Sequence, residues 1–110
     1  MKTVDAAACV PRAELLARAF KLLGKRWNAV VLGHLSHGAM GFRDLSRAIG
    51  VSPSMLSDRL SELSDVGLIE RTVQEGPPLA VYYELTDRGR ALMPALEQIT
   101  IWADEHLPAG

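Results

Sequence analysis

The chain has 110 residues, 48% of them hydrophobic, a single cysteine and a formal net charge of −1. That length suits one domain with an ordinary buried core, and the composition gives no case for disorder. Apolar runs such as Ala29–Leu32 fall far short of the ~18 residues a membrane span needs, so no membrane partner is expected. A lone cysteine permits no internal disulfide, which makes a reducing cytoplasm the default.

In chain order, residues 1–12 read as a loose N-terminal arm. Its Ala6-Ala7-Ala8-Cys9 run superficially resembles a lipoprotein cleavage site but lacks the apolar segment that must precede one. Ala13–Leu23 has apolar residues at 16, 19, 20 and 23, a helical spacing, and ends at Gly24. A second helix is expected from about Lys25 to Leu35, with Trp27, Val30, Val31 and Leu35 on one face. Gly41-Phe42 could form a brief extended segment. Arg43–Ile49 reads as a short helix burying Leu45 and Ile49.

Gly50-Val51-Ser52 then breaks the helical pattern. Glycine tolerates the left-handed backbone that ends a helix, Ser52 can cap the next one, and Pro53 at its first position costs no hydrogen bond. The following helix, Ser52–Val66, is closed by Gly67 and must turn Leu56, Leu60 and Leu63 to the core. Ser54, Asp58, Ser61 and Asp65 then lie on the opposite side, with Met55, Ser57 and Arg59 on the flanks. Leu68–Gln74 and Val81–Leu85 alternate apolar and polar residues around the turn-forming Glu75-Gly76-Pro77-Pro78, a β-hairpin. Thr86 caps a last helix that runs to about His106. Pro94 should kink it, and its apolar positions cover more than one face.

Two short amphipathic helices joined at a tight break and followed by a hairpin have the order of a winged helix-turn-helix. That fold presents its second helix to the major groove of DNA. The expected fold class is therefore mainly α with a small β-hairpin wing, with 41–85 as helix-turn-helix plus wing and 86–107 as a C-terminal dimerisation helix. Candidate base-edge readers are Ser54, Met55, Ser57, Asp58 and Arg59, with Ser52 at the helix start. Lys25, Arg43 and Arg71 are candidate phosphate contacts, which position a domain without reading sequence. The wide apolar surface of the last helix calls for a second copy, so Leu92, Leu96, Ile99 and Trp102 are assigned to a homodimer interface with Leu16 and Phe20 of the first helix.

Charge distribution argues against strong nonspecific binding. Residues 1–40 carry a net +4, but 41–85 set Arg43, Arg47, Arg59 and Arg71 against seven acids, a net −3. The reading head is therefore acidic, and Glu62 and Asp65 should repel phosphate. A winged helix used for protein–protein contact is the competing class. A sensor with a small-molecule ligand at the dimer interface, or an electrophile acting at Cys9, is a third. Against the sensor stands an inert thiol in a loose segment. His34 and His37 sit three apart on a helix but lack a clear third ligand, which reads as a solvated helix end. Trp27 and Trp102 read as core and interface aromatics. No cofactor is implied, and with no glycine-rich phosphate loop and no histidine partner for the cysteine the chain does not read as an enzyme.

Several segments together resemble the HxlR-type regulators: Leu23-Gly24-Lys25-Arg26-Trp27, Gly41-Phe42-Arg43-Asp44-Leu45, Ser54 through Leu63, Gly67-Leu68-Ile69-Glu70-Arg71, Pro77-Pro78, Val81 through Thr86, Gly89, and Leu92-Met93-Pro94-Ala95-Leu96 followed by Trp102. The resemblance spans about residues 20–102 and implies a bacterial, dimeric transcription regulator related to the MarR-type proteins. It further implies pseudo-palindromic double-stranded operators and dimerisation through the first and last helices. Two departures stand out. Many relatives place a cysteine directly before a proline near the first helix, whereas here Val10 separates Cys9 from Pro11. Relatives often carry a basic residue near the wing tip, where this chain has Leu79 and Ala80.

Overall fold

The computed structural model describes residues 11–109. Cys9 and most of the arm lie outside them. Its elements, in order, are α1 (Arg12–Leu23), α2 (Asn28–Leu35), β1 (Met40–Gly41), α3 (Phe42–Ile49), α4 (Pro53–Asp65), β2 (Ile69–Gln74), β3 (Ala80–Leu85) and α5 (Asp87–His106). The protein is mainly helical with a small antiparallel sheet of order β1-β3-β2. A brief extended segment is present one residue earlier than expected, with Met40 paired to Tyr83 and Gly41 to Tyr82, while Phe42 opens α3.

The core is built from leucines and their neighbours on three helices and the hairpin. Val31, Leu32 and Leu35 of α2, Leu45 of α3, Leu56, Leu60 and Leu63 of α4, and Leu68, Ile69 and Leu85 at the base of the hairpin are buried together. Helix α2 corrects the sequence reading in two ways. It starts at Asn28 rather than Lys25, because Trp27 takes a left-handed backbone (φ 80°) that no helix can include. Its inward face is consequently Asn28, Val31, Leu32 and Leu35, leaving Val30 exposed.

The hairpin meets the core at its base and, partly, through Tyr83. Ile69 pairs with Leu85, Arg71 with Tyr83 and Val73 with Val81, so these six share one face. Ile69 and Leu85 are buried on that face, whereas Val73, nearer the tip, is exposed. The strand–helix corner is tied by Thr86, whose hydroxyl accepts from the Gly89 amide (3.1 Å) and donates to the Gly67 carbonyl (2.6 Å). Gly89 must be a glycine for a reason of space: a Cβ there would lie 2.2 Å from the Leu68 carbonyl oxygen.

Both terminal helices project from this core. Helix α1 buries none of its residues, and only Leu22 and Leu23 of its last turn pack on the core. Helix α5 buries only Gly89; Leu92, Met93 and Leu96 pack partly against the core, and beyond them Ile99, Ile101 and Trp102 are exposed. The helix continues to His106 with Pro94 inside it. No described helix is long and apolar enough to cross a membrane.

Candidate nucleic-acid interface

The turn between α3 and α4 is held at both ends by short hydrogen bonds. Gly50, at φ 80°, donates its amide to the Ser46 carbonyl (2.8 Å), and the Ser46 hydroxyl donates to the Val51 carbonyl (2.8 Å). The open left-handed backbone is what requires glycine at position 50. Ser52 then caps α4, its side chain accepting from the Met55 amide at 3.1 Å, and Pro53 fills the first turn. Burial of Leu56, Leu60 and Leu63 fixes the helix's rotation about its axis. The exposed side therefore carries Ser54, Met55, Ser57, Asp58 and Ser61, beside the exposed cap Ser52.

Each flank of α4 opens into a concavity with arginine on its lip. Phe42, Arg43, Ser46 and Arg47 of α3 line one against Pro53 at the start of α4. Ser57 and Ser61 face the other, across from Glu70, Arg71 and Tyr83 of the hairpin. The strand register explains Arg71's position: it lies on the same sheet face as buried Ile69, the face turned toward α4. Arg43 and Arg71 are exposed and form no ion pair among the described residues. Arg47, not singled out from the sequence, stands one helical turn after Arg43 and touches only the well-solvated Asp44 at 3.5 Å. Its spacing of four from Arg43 was the available signal.

Two candidate contacts are placed differently from expectation. Lys25 gives its ammonium to Glu62 (2.5 Å), and Arg59 turns inward to the same carboxylate, its nearest nitrogen at 3.8 Å and its side chain only 19% exposed. Asn28, fully buried, completes the cluster: its amide nitrogen donates to Glu62 (3.1 Å) and to the Leu22 carbonyl (2.8 Å). The hydrogen bond from Lys25, then that from Asn28, holds the Glu62 carboxyl below the usual carboxylate range, outweighing the upward push of burial. Glu62 is thus compensated by two cations and does not confront phosphate as a bare charge. The sequence signal for this cluster was weak, because Glu62 on α4 lies 37 and 34 positions from Lys25 in the α1–α2 joint and Asn28 on α2.

Of the residues assigned to subunit contact, Leu16, Phe20, Ile99 and Trp102 are exposed, at 62%, 47%, 44% and 53%. Leu92 and Leu96 are instead partly buried against their own subunit's core, because they occupy the α5 turns nearest α2 and β3. His34 packs its Nδ1 against the Val30 carbonyl at 2.9 Å; a carbonyl can only accept, so that nitrogen carries the proton.

A buried tri-helical core, a capped and exposed second helix of the pair, and a hairpin beside it define a winged helix-turn-helix. Comparison with known proteins gives the family. The HxlR-like helix-turn-helix pattern matches residues 22–110. The transcriptional regulator YodB of Bacillus subtilis is 38% identical over 93 residues, covering 84% of this chain and 83% of its own. The solved structure of its reduced form superposes with a TM-score of 0.78 at 36% identity, over 93% of this chain and 98% of that one. Its quinone-bound form superposes with a TM-score of 0.72 at 34% identity, over 84% and 98%. The chain belongs to the HxlR family of helix-turn-helix transcriptional regulators.

Proposed function

We propose that this regulator acts as a homodimer on a pseudo-palindromic operator, each subunit setting the first turns of α4 into a major groove, with half-sites about one turn or ~34 Å apart. Ser54, Met55, Ser57 and Asp58 read base edges. Arg43, Arg47 and Arg71 grip phosphates on either side of the groove, which fixes register without adding sequence preference. The observation that carries this reading is the exposed, capped start of α4 lying between two concavities lipped by arginine. The wing tip has no lysine or arginine, so affinity rests on the helices and on Arg71. Repression is the simplest outcome, because a dimer covering an operator excludes polymerase without further parts.

The quinone-bound form of YodB supports an electrophile or another small molecule as effector here. Cys9, the one thiol, is the candidate sensor. A chain alkylated at Cys9 that keeps its full DNA affinity removes that residue from the reading.

Fragments of the source genome retained by the purified protein test DNA binding and return the operator. On that operator, affinity should fall steeply from low to physiological salt. Arg43→Ala and Arg71→Ala should each weaken binding evenly across sequences and reduce the log–log salt slope by about one. A protein that retains no duplex at low salt overturns the reading.

A further inference from the structure

The polar cluster at Glu62 joins α4 to the end of α1 and the start of α2. Helix α1 buries no residue, so apolar packing along its length cannot set its direction relative to the reading head. Among the described residues, it meets the core through Leu22 and Leu23 of its last turn and through the joint that follows. Several specific contacts hold that joint. Trp27 sits at φ 80°, a conformation costly for a bulky side chain, with the Arg26 guanidinium stacked 4.8 Å above its ring. Directly after it, one fully buried amide, that of Asn28, donates both to the Leu22 carbonyl at the end of α1 and to Glu62 on α4. Lys25, within the joint itself, closes on the other oxygen of the same carboxylate.

Such an arrangement is costly. Oδ1 of Asn28 and Nε of Arg59 are buried with no hydrogen-bond partner among the described residues, and an apolar contact would avoid that penalty. What polar geometry adds over apolar packing is a single defined angle, since hydrogen bonds are directional and a leucine contact is not.

We propose that Glu62 is a positioning residue which, through Lys25 and Asn28, locks the reading helix α4 to the α1–α2 joint and so sets the spacing between half-sites that a dimer accepts. This rests on the dimeric, DNA-binding reading above. Helix α1 belongs to the surface offered to the second copy, and α4 to the surface offered to DNA. A fixed angle between them converts the dimer's geometry into a fixed distance and rotation between the two reading helices. One base pair added between half-sites changes that rotation by roughly a tenth of a turn, which a rigid joint resists and a loose one absorbs.

The test compares the full chain with Glu62→Gln, Lys25→Met and Lys25→Arg. Glu62→Gln keeps an acceptor for Asn28 but removes the charge; Lys25→Met keeps the stem and removes the ammonium; Lys25→Arg keeps the ion pair. The probe is a duplex recovered by the unaltered protein from a random-sequence pool, with derivatives one to three base pairs longer or shorter at the centre and a single half-site. The unaltered chain and Lys25→Arg should discriminate sharply against altered spacing. Glu62→Gln and Lys25→Met should flatten that discrimination by roughly three- to thirtyfold, with half-site affinity held within about twofold of the unaltered chain. Unchanged discrimination in the two disabling variants overturns the proposal. So does an equal loss on every probe, which marks a merely structural role. If Glu62→Gln fails to fold, Lys25→Met, altered at a half-exposed side chain, decides the matter alone. Retention of no duplex by the unaltered chain overturns the DNA-binding reading and takes this inference with it.

Discussion

Glu62 shows how a single side chain alters the charge account of the reading head. Counted along the chain it is one of seven acids that make residues 41–85 repulsive to phosphate. In space it accepts from Lys25 and Asn28 and lies near Arg59, so its charge is spent internally. Its proton affinity is lowered in the folded protein, mainly by the hydrogen bonds from Lys25 and Asn28. The cluster's stabilisation is therefore fully present above the unfolded carboxyl's pKa and is lost as pH falls through the lower, folded value. Thermal melts across that range should show Glu62→Gln less stable than the unaltered chain near neutrality, with the gap closing on acidification. A gap that stays constant, or widens in acid, would exclude the carboxylate as its source. Lys25 and Arg59 looked like DNA contacts in sequence because only basic character and helix position were available there. The carboxylate that claims them is visible only once α4 is packed against the α1–α2 joint.

Among the elements, the glycines separate roles that sequence alone leaves identical. Gly33 lies within α2, where a Cβ would meet nothing within 4 Å; Gly89 lies in the first turn of α5, where a Cβ would collide with the Leu68 carbonyl at 2.2 Å. Helical glycine costs about 1 kcal/mol relative to alanine where space is free. Gly33→Ala should therefore raise the unfolding midpoint, while Gly89→Ala should lower it by forcing the hairpin base and α5 apart. Chemical denaturation of both variants, read side by side, checks the sign. Equal effects would mean that the close approach at Gly89 is absorbed by small shifts. Boundaries of α4, the hairpin and α5 were legible because each carries a local punctuator: Ser52-Pro53, Gly67, and Thr86 followed by Asp87. The start of α2 was not legible, since nothing about a tryptophan announces a left-handed backbone.

For the molecule as a whole, shape is the informative quantity. Over the described residues the radius of gyration is 16.6 Å and the extents are 59 × 37 × 22 Å, whereas a compact chain of about this length has a radius near 13 Å. Helix α1 and the end of α5 leave Leu16, Phe20, Ile99 and Trp102 uncovered. A second copy covering these side chains would offset the cost of holding them in water. Phe20→Asp should then yield monomers in sedimentation at micromolar concentration while leaving far-ultraviolet circular dichroism intact, and should abolish tight binding to a two-half-site operator. A variant that sediments like the parent chain would place the interface elsewhere.

From sequence alone followed the order of elements, the winged helix-turn-helix, the family resemblance and the face of α4 turned outward. All of these depend on local or periodic signals: caps, turn residues and the leucine spacing that must point inward. Tertiary structure alone decided that Leu92 and Leu96 pack partly against their own subunit's core, and that Lys25, Asn28 and Arg59 meet at Glu62. These facts concern which side chains claim one another across elements far apart in the chain. No periodicity encodes that choice, because it is made only when the helices pack and each buried polar group must find its partner.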